Sequence, residues 1–238
     1  MTDDRMYFRQ LLAGRDFARD DMVAQQMVNF AYLIGDRETG EAIAVDPAYG
    51  VGELVEFLAA DGMRLTGVLA SHYHPDHVGG DLMGFRIEGI AELLQLGEPA
   101  KVHVQAEEAL GVKRVTGASD SDLVLHSSGD VVSVGAIDVT LIHTPGHTPG
   151  SQCFYIETPA GGRLVSGDTL FLDGCGRTDL PGGDADALYE SLTQRLAVVP
   201  DDTILYPGHL YAPEPSAPLG EVRARNWVFR MGRAAFDL

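Results

Sequence analysis

The sequence predicts an α/β protein made of two sheets with helices on their outer faces. Three observations carry this. Short apolar, strand-like runs dominate both halves of the 238 residues. Helix-spaced apolar patterns, several with a cap or a glycine stop, lie between those runs. No linker is long or polar enough to mark a boundary, and no fixed-period repeat is present.

Residues 28–46, VNFAYLIGDRETGEAIAVD, read as two strands around a turn at 36–40. Within 51–61, Leu54, Phe57 and Leu58 share a face and Gly62 follows, which predicts a helix with a glycine stop. LTGVLAS, 65–71, is a short buried strand. In 81–100 the stretch GIAELLQLG predicts a short helix ending at Gly97, and KVHVQA after it a strand. DVVSVGAIDVTLIH gives a hairpin-like pair around Gly135. SQCFYIET and GRLVSGD are strands joined by PAGG. DADALYESLTQRLA is a helix with Leu188, Leu192 and Leu196 at i,i+4 and Asp184 as its cap. TILYPG is a further strand, and 219–231 is helical after Pro218. The expected organisation is one domain over 1–238, with 81–100 a lid insertion and 213–238 a helical tail.

Composition excludes several classes. The chain is 45% hydrophobic, enough for one sizeable core. Its formal net charge of −18 repels nucleic acid and anionic membrane. No run approaches the roughly 18 apolar residues of a membrane span. The acidic start lacks a signal-peptide apolar region, so a soluble, cytoplasmic protein is expected. Cys153 and Cys175 form neither a disulfide framework nor a CxxC pair, which suits a reducing interior and argues against a thiolate zinc site.

The chemistry concentrates in VLASHYHPDHVGG, 68–80, where His72, His74, Asp76 and His77 fall within six residues. His72 and His74 at i,i+2 in extended chain put both rings on one side. Imidazoles with a carboxylate suit a borderline-soft divalent metal, zinc or iron. Four donors so close in sequence are more natural for two ions than for one, and each ion then needs ligands from elsewhere. His147, Asp168 and His209 supply them. Each follows a strand and meets a glycine within one residue. His147 is preferred over His143, which sits nearer the strand body and suits a role orienting a ligand ring. His103 reads as a strand residue and His126 as a turn residue.

HYHPDH together with His147, Asp168 and His209 resembles the metallo-β-lactamase superfamily, over nearly the whole chain. The resemblance implies a four-layer αββα sandwich with the metals at one edge between the sheets. It implies that His72, His74 and His147 hold one ion, that Asp76, His77 and His209 hold the second, and that Asp168 bridges them. Two divalent ions, zinc in preference to iron, would share a bridging hydroxide as nucleophile, with Asp76 orienting it and accepting its proton.

GDTLFLDGCGRTDLPGGD, 167–184, resembles the glyoxalase II branch, which hydrolyses acyl-glutathione thioesters. In that resemblance Arg177 meets a carboxylate of glutathione and Tyr211 is the tyrosine after the last histidine. YFRQLL, YLIGDRETGEAIAVDPA and GCGRTD also resemble the persulfide dioxygenases, which hold one iron and act on glutathione persulfide. There the ligand set would be His72 or His74 with His147 and Asp168. The expected function is therefore a metal-dependent thioester hydrolase. A mononuclear-iron persulfide dioxygenase is the alternative, and a non-catalytic, metal-stabilised binding module the third reading. The expected partner is a small molecule such as a glutathione conjugate, not nucleic acid or membrane. Homo-oligomerisation is left open.

Overall fold

A computed structural model describes residues 4–96 and 100–233. Its first sheet is built from β1 (Met6–Leu12), β2 (Phe30–Asp36), β3 (Glu41–Val45), β4 (Arg64–Leu69), β7 (Lys101–Gln105) and β8 (Leu123–His126), in that order. β1 through β3 pair antiparallel; β3, β4, β7 and β8 pair parallel. The second sheet runs β14 (Ala217–Pro218), β13 (Ile204–Pro207), β12 (Arg163–Gly167), β11 (Gln152–Ile156), β10 (Ile137–His143) and β9 (Val131–Val134). A separate hairpin joins β5 (Gly80–Leu82) to β6 (Phe85–Ile87).

Period-2 alternation sorts each strand's side chains between two cores. In β2, Phe30, Tyr32 and Ile34 face the second sheet and meet Val139, Leu141, Phe154 and Val165. Ala31 and Leu33 face the other way. That outer face is covered by helices α1 (Met22–Met27), α2 (Val51–Ala60), α4 (Ile90–Gln95) and α5 (Ala109–Thr116). The outer face of the second sheet is covered by α6 (Ala185–Glu190), α7 (Leu219–Arg225) and α8 (Trp227–Met231). The result is the expected αββα layering. No helix among the described residues is long and apolar enough to cross a membrane.

Asp184 caps α6, its carboxylate accepting from the Ala187 N–H at 3.0 Å. Leu188, Leu192 and Leu196 enter the outer core together, although the helix loosens into a π-type turn over Ser191–Arg195. Sequence pattern alone did not find β1, α1, α5 or β8. His126, expected in a turn, ends β8 and stacks on His103 with ring centroids 5.1 Å apart. The 219–231 helix is two helices, broken at Asn226, which is extended at φ −66°, ψ 129°. The segment 81–100 carries most of a β-hairpin as well as the expected short helix; the stop expected at Gly97 lies outside the described residues.

Candidate metal centre

The seven candidate donors come from the ends of four strands. His72 and His74 follow β4. Asp76 and His77 lie in α3 (Pro75–Val78), a single turn entered through Pro75 at its start. His147 lies in the β10–β11 loop, Asp168 follows β12, and His209 follows β13. Sheet-to-sheet bonds hold this edge closed: Gln152 N–H donates to Ser71 O at 2.9 Å, and Phe30 N–H to Gly208 O at 2.8 Å.

Three groups of donor atoms converge, each within 4.8 Å: His72, His74 and His147; His72, His77 and Asp168; and Asp76, His77 and His209. His74 Nδ1 lies 3.0 Å from both His72 Nε2 and His147 Nε2. His77 Nε2 and His209 Nε2 are 3.2 Å apart. The opposite ring nitrogens decide what these contacts are. His77 Nδ1 faces Asp46 Oδ2 at 2.9 Å, His147 Nδ1 faces Arg177 O at 2.7 Å, and His209 Nδ1 faces Met27 O at 2.7 Å. Those oxygens can only accept, so each Nδ1 carries the hydrogen. His72 Nδ1 faces Ser71 Oγ at 2.9 Å, and that hydroxyl donates onward to Asp46 Oδ2 at 2.6 Å. With the rings neutral, the inward Nε2 atoms of His72 and His147 are lone pairs converging on His74 Nδ1, and those of His77 and His209 face the Asn29 amide nitrogen at 3.3 and 3.4 Å, an inward-facing donor set of the kind that holds a cation.

The carboxylates agree. Asp168 Oδ1 is buried and makes no hydrogen bond, although it lies 3.3 Å from His77 Nε2. Its Oδ2 lies 3.3 Å from His209 Nε2 and 3.7 Å from His147 Nε2, so the carboxylate stands between the two groups. Asp76 Oδ2 lies 3.5 Å from both His77 and His209 Nε2. Imidazole nitrogens and carboxylate oxygens converging around the unpaired Asp168 Oδ1 fit divalent metal.

In the metal-free chain, burial and the neighbouring His77 and His74 depress the basicity of His72. Burial and His147 likewise bring His74 down to about 4. His77 goes the other way. Burial opposes its charge, but the Asp168 and Asp76 carboxylates outweigh burial and raise its pKa. His209 is raised for the same reason, chiefly by Asp168.

Two glycines make this packing possible. A Cβ on Gly208 would lie 2.4 Å from Asp168 Oδ1, and one on Gly176 would lie 2.0 Å from Asp168 O and 2.9 Å from the His147 ring.

Residues without a sequence signature complete the setting. Asn29 donates to Asp76 Oδ2 at 3.1 Å and accepts from the Tyr49 hydroxyl at 3.1 Å. Glu108, fully buried, accepts from Tyr73 N–H, Gly150 N–H and the Thr148 hydroxyl, tying the loops that carry His74 and His147. Asn226 bonds Gly174 through both its amide oxygen and nitrogen and so shapes the 171–176 loop. Asp46 could have been suspected, as an acid closing an apolar strand; Asn29, Glu108 and Asn226 carry no such signal. His143 Nε2 faces Pro149 O at 2.9 Å and braces the His147 loop rather than a ligand ring.

The donors open onto a cleft of about 660 Å³ walled by Met27, Phe171, Cys175, Tyr211 and Trp227. Tyr211 stacks on His209 at 4.7 Å and 8° between planes, and half its surface is exposed. Arg177 lines the mouth, its guanidinium on the Asp179 carboxylate at 2.6 Å. Burial pushes the Cys175 thiol up to about 12, so it is not a thiolate near neutral pH.

Comparison with known proteins places this geometry. Over 186 residues the chain is 39% identical to a hydroxyacylglutathione hydrolase of Polaromonas; the match takes in 77% of this chain and 62% of that enzyme's length. The crystal structure of ETHE1 from Myxococcus xanthus superposes with a TM-score of 0.76 at 31% identity, covering 97% of this chain and 88% of that one. The structure of TTHA1623 in a di-iron-bound form superposes at 0.64 and 28% identity, covering 84% and 94%. The metallo-beta-lactamase superfamily model matches residues 25–209. The layering, the converging histidines and aspartates and these likenesses agree: the chain belongs to the metallo-beta-lactamase superfamily.

Proposed function

We propose that this protein is a dinuclear metal hydrolase, zinc-dependent, acting on a thioester such as an acyl-glutathione. The observation that carries the reading is the convergence of seven candidate donors in three overlapping groups, with the unpaired Asp168 Oδ1 among them. Five of the seven, His74, Asp76, His147, Asp168 and His209, line an open cleft, which argues against a closed structural site. Bound at these positions, two divalent ions would supply Lewis acidity and a water ionised near neutral pH. In the overall reaction water adds to the carbonyl carbon, the C–S bond breaks, and a carboxylic acid and a thiol leave.

The residues divide the work. His72, His74 and His147 would hold one ion, and Asp76, His77 and His209 the other, with Asp168 available to both. Asp76, steadied by Asn29, orients the attacking water and receives its proton. Phe171 and Trp227 wall the substrate from solvent. Tyr211 keeps its proton, because burial and the Asp168 and Asp76 carboxylates raise its pKa, so its hydroxyl can donate to substrate. Arg177 at the mouth offers a cation to a substrate carboxylate, in competition with Asp179. We read 1–238 as one domain in which the segment after the histidine motif walls the cleft.

The test is metal content per chain after purification without chelator, followed by assay of acyl-glutathione thioesters. Two zinc ions and turnover are expected. A second reading, a mononuclear-iron persulfide dioxygenase, is supported by the near full-length likeness to ETHE1. One iron per chain with oxygen uptake on glutathione persulfide would replace the first reading with this one.

A further inference from the structure

A second cavity lies beside the metal cleft, between α1 and the β5–β6 hairpin. It holds about 670 Å³ and its apolar wall is Met22, Val23, Met27, Leu82, Met83 and Phe85. Met27, Leu82 and Met83 also line the metal cleft, so this trough runs up to the donors. The wall is fixed to the centre: the Met27 carbonyl accepts the His209 Nδ1–H at 2.7 Å.

Three large side chains on the trough are exposed, Met83 by 90%, Met22 by 72% and Phe85 by 58%. Apolar groups gathered this way on a concave surface mark a site for an apolar ligand. Met83 adds a conformational argument. It has φ 54° and Gly84 φ 90°, the two-residue hairpin turn that asparagine followed by glycine adopts most readily. A methionine there takes on left-handed backbone, and at 90% exposure its side chain gives the fold almost no packing in return. Its contact value is toward whatever enters the trough. Unbranched, polarizable methionine side chains adapt to a flexible chain.

We propose that the trough is the subsite for the substrate's acyl chain: the apolar tail lies between α1 and the hairpin while the thioester carbonyl sits at the seven donors. This rests on the thioester reading and narrows it to unbranched acyl groups of medium or greater length.

The probe is a series of straight-chain alkyl hydroxamates, which chelate metal whatever the natural substrate, titrated calorimetrically into the metal-loaded protein. Affinity is expected to rise about twofold per methylene in a half-open trough, roughly sixtyfold from acetohydroxamate to octanohydroxamate. The double variant Met22→Ser/Phe85→Ser, altered only at exposed positions, is expected to lose most of that gain while keeping its metal content and melting temperature. A total gain below about tenfold in the unaltered protein, or an undiminished gain in the folded variant, overturns the proposal. Hydrolysis of acetyl and octanoyl thioesters of one thiol separates the two readings. A chain-length gain in binding without hydrolysis keeps the trough and removes the thioesterase. Equal hydrolysis of both thioesters with no gain in binding keeps the thioesterase and removes the trough.

Discussion

At the scale of single residues, Asp46 governs more of the centre than its place in the sequence suggests. It accepts from His77 Nδ1, from the Ser71 hydroxyl and from the Ser71 N–H, and sits at φ 50° to do so. It thereby fixes the tautomers of His77 and, through Ser71, of His72. Asp46→Ala is expected to weaken metal retention by about 10- to 100-fold, read as metal lost against a chelator of known affinity; unchanged retention would show that packing alone aims the rings. The same surroundings set a pH dependence. Asp168 and Asp76 raise the pKa of His77 and His209 against burial, so protons compete with an incoming ion for these rings as pH falls. Metal affinity should fall as pH falls through those raised values, by about tenfold per pH unit for each proton displaced. Calorimetry in buffers of different ionisation enthalpy would count the protons, and a pH-independent affinity would contradict the assignment. That these seven candidate donors come together was legible because histidine and aspartate crowd into one turn and recur at strand ends. Asn29 and Glu108 were not, since an isolated polar residue looks the same whether it meets a ligand or water.

At the scale of elements, loops are held at close range by glycines that pattern reading treats only as turn formers. Gly176 brings the 174–177 stretch against Asp168 and His147 and lets the Arg177 carbonyl reach His147 Nδ1. Gly176→Ala should push that loop away, and because the contact is with backbone it cannot be relieved by a side-chain rotation. Loss of about one metal equivalent per chain is expected in a folded protein, with destabilisation of about 1–3 kcal/mol from overpacking; full metal occupancy would show that the loop can shift freely. Elements with strong periodicity, such as α2 with Leu54 and Leu58 inward, were readable in advance. The hairpin β5–β6 was not: three-residue strands are too short to alternate detectably. The break at Asn226 was hidden for a different reason. Its amide is used by Phe171 and Gly174, more than 50 residues away in sequence.

At the scale of the whole molecule, the two sheets are joined at the edge away from the metals by one buried carboxylate. Asp36, at the end of β2, takes both arms of Arg5 at 2.9 and 2.6 Å and the Ala136 N–H of the opposite sheet's hairpin at 2.8 Å. Arg5 holds its pKa well below the usual carboxylate range, against burial, with the N–H groups of Ala136 and Glu38 adding to the effect. A depressed folded value means that this contribution is full above the unfolded carboxylate value of about 3.9 and drains away as pH falls below it. Asp36→Asn should cost about 3 kcal/mol near neutral pH and flatten the acid limb of the stability curve, measured by urea unfolding between pH 3 and pH 7. An unaltered acid limb would place the acid sensitivity elsewhere.

Taken alone, the sequence determined the class of chemistry and the layering. Donor identity is a property of side-chain type, and sheet faces are a property of alternation; both survive without coordinates. Tertiary structure decided which nitrogen of each ring points inward, because that depends on acceptors such as Asp46, the Met27 carbonyl and the Arg177 carbonyl, distant in sequence from the rings they orient. It also decided the shape of the space beside the donors. Two segments some 60 residues apart, α1 and the β5–β6 hairpin, wall one apolar trough, and no local pattern records that they meet.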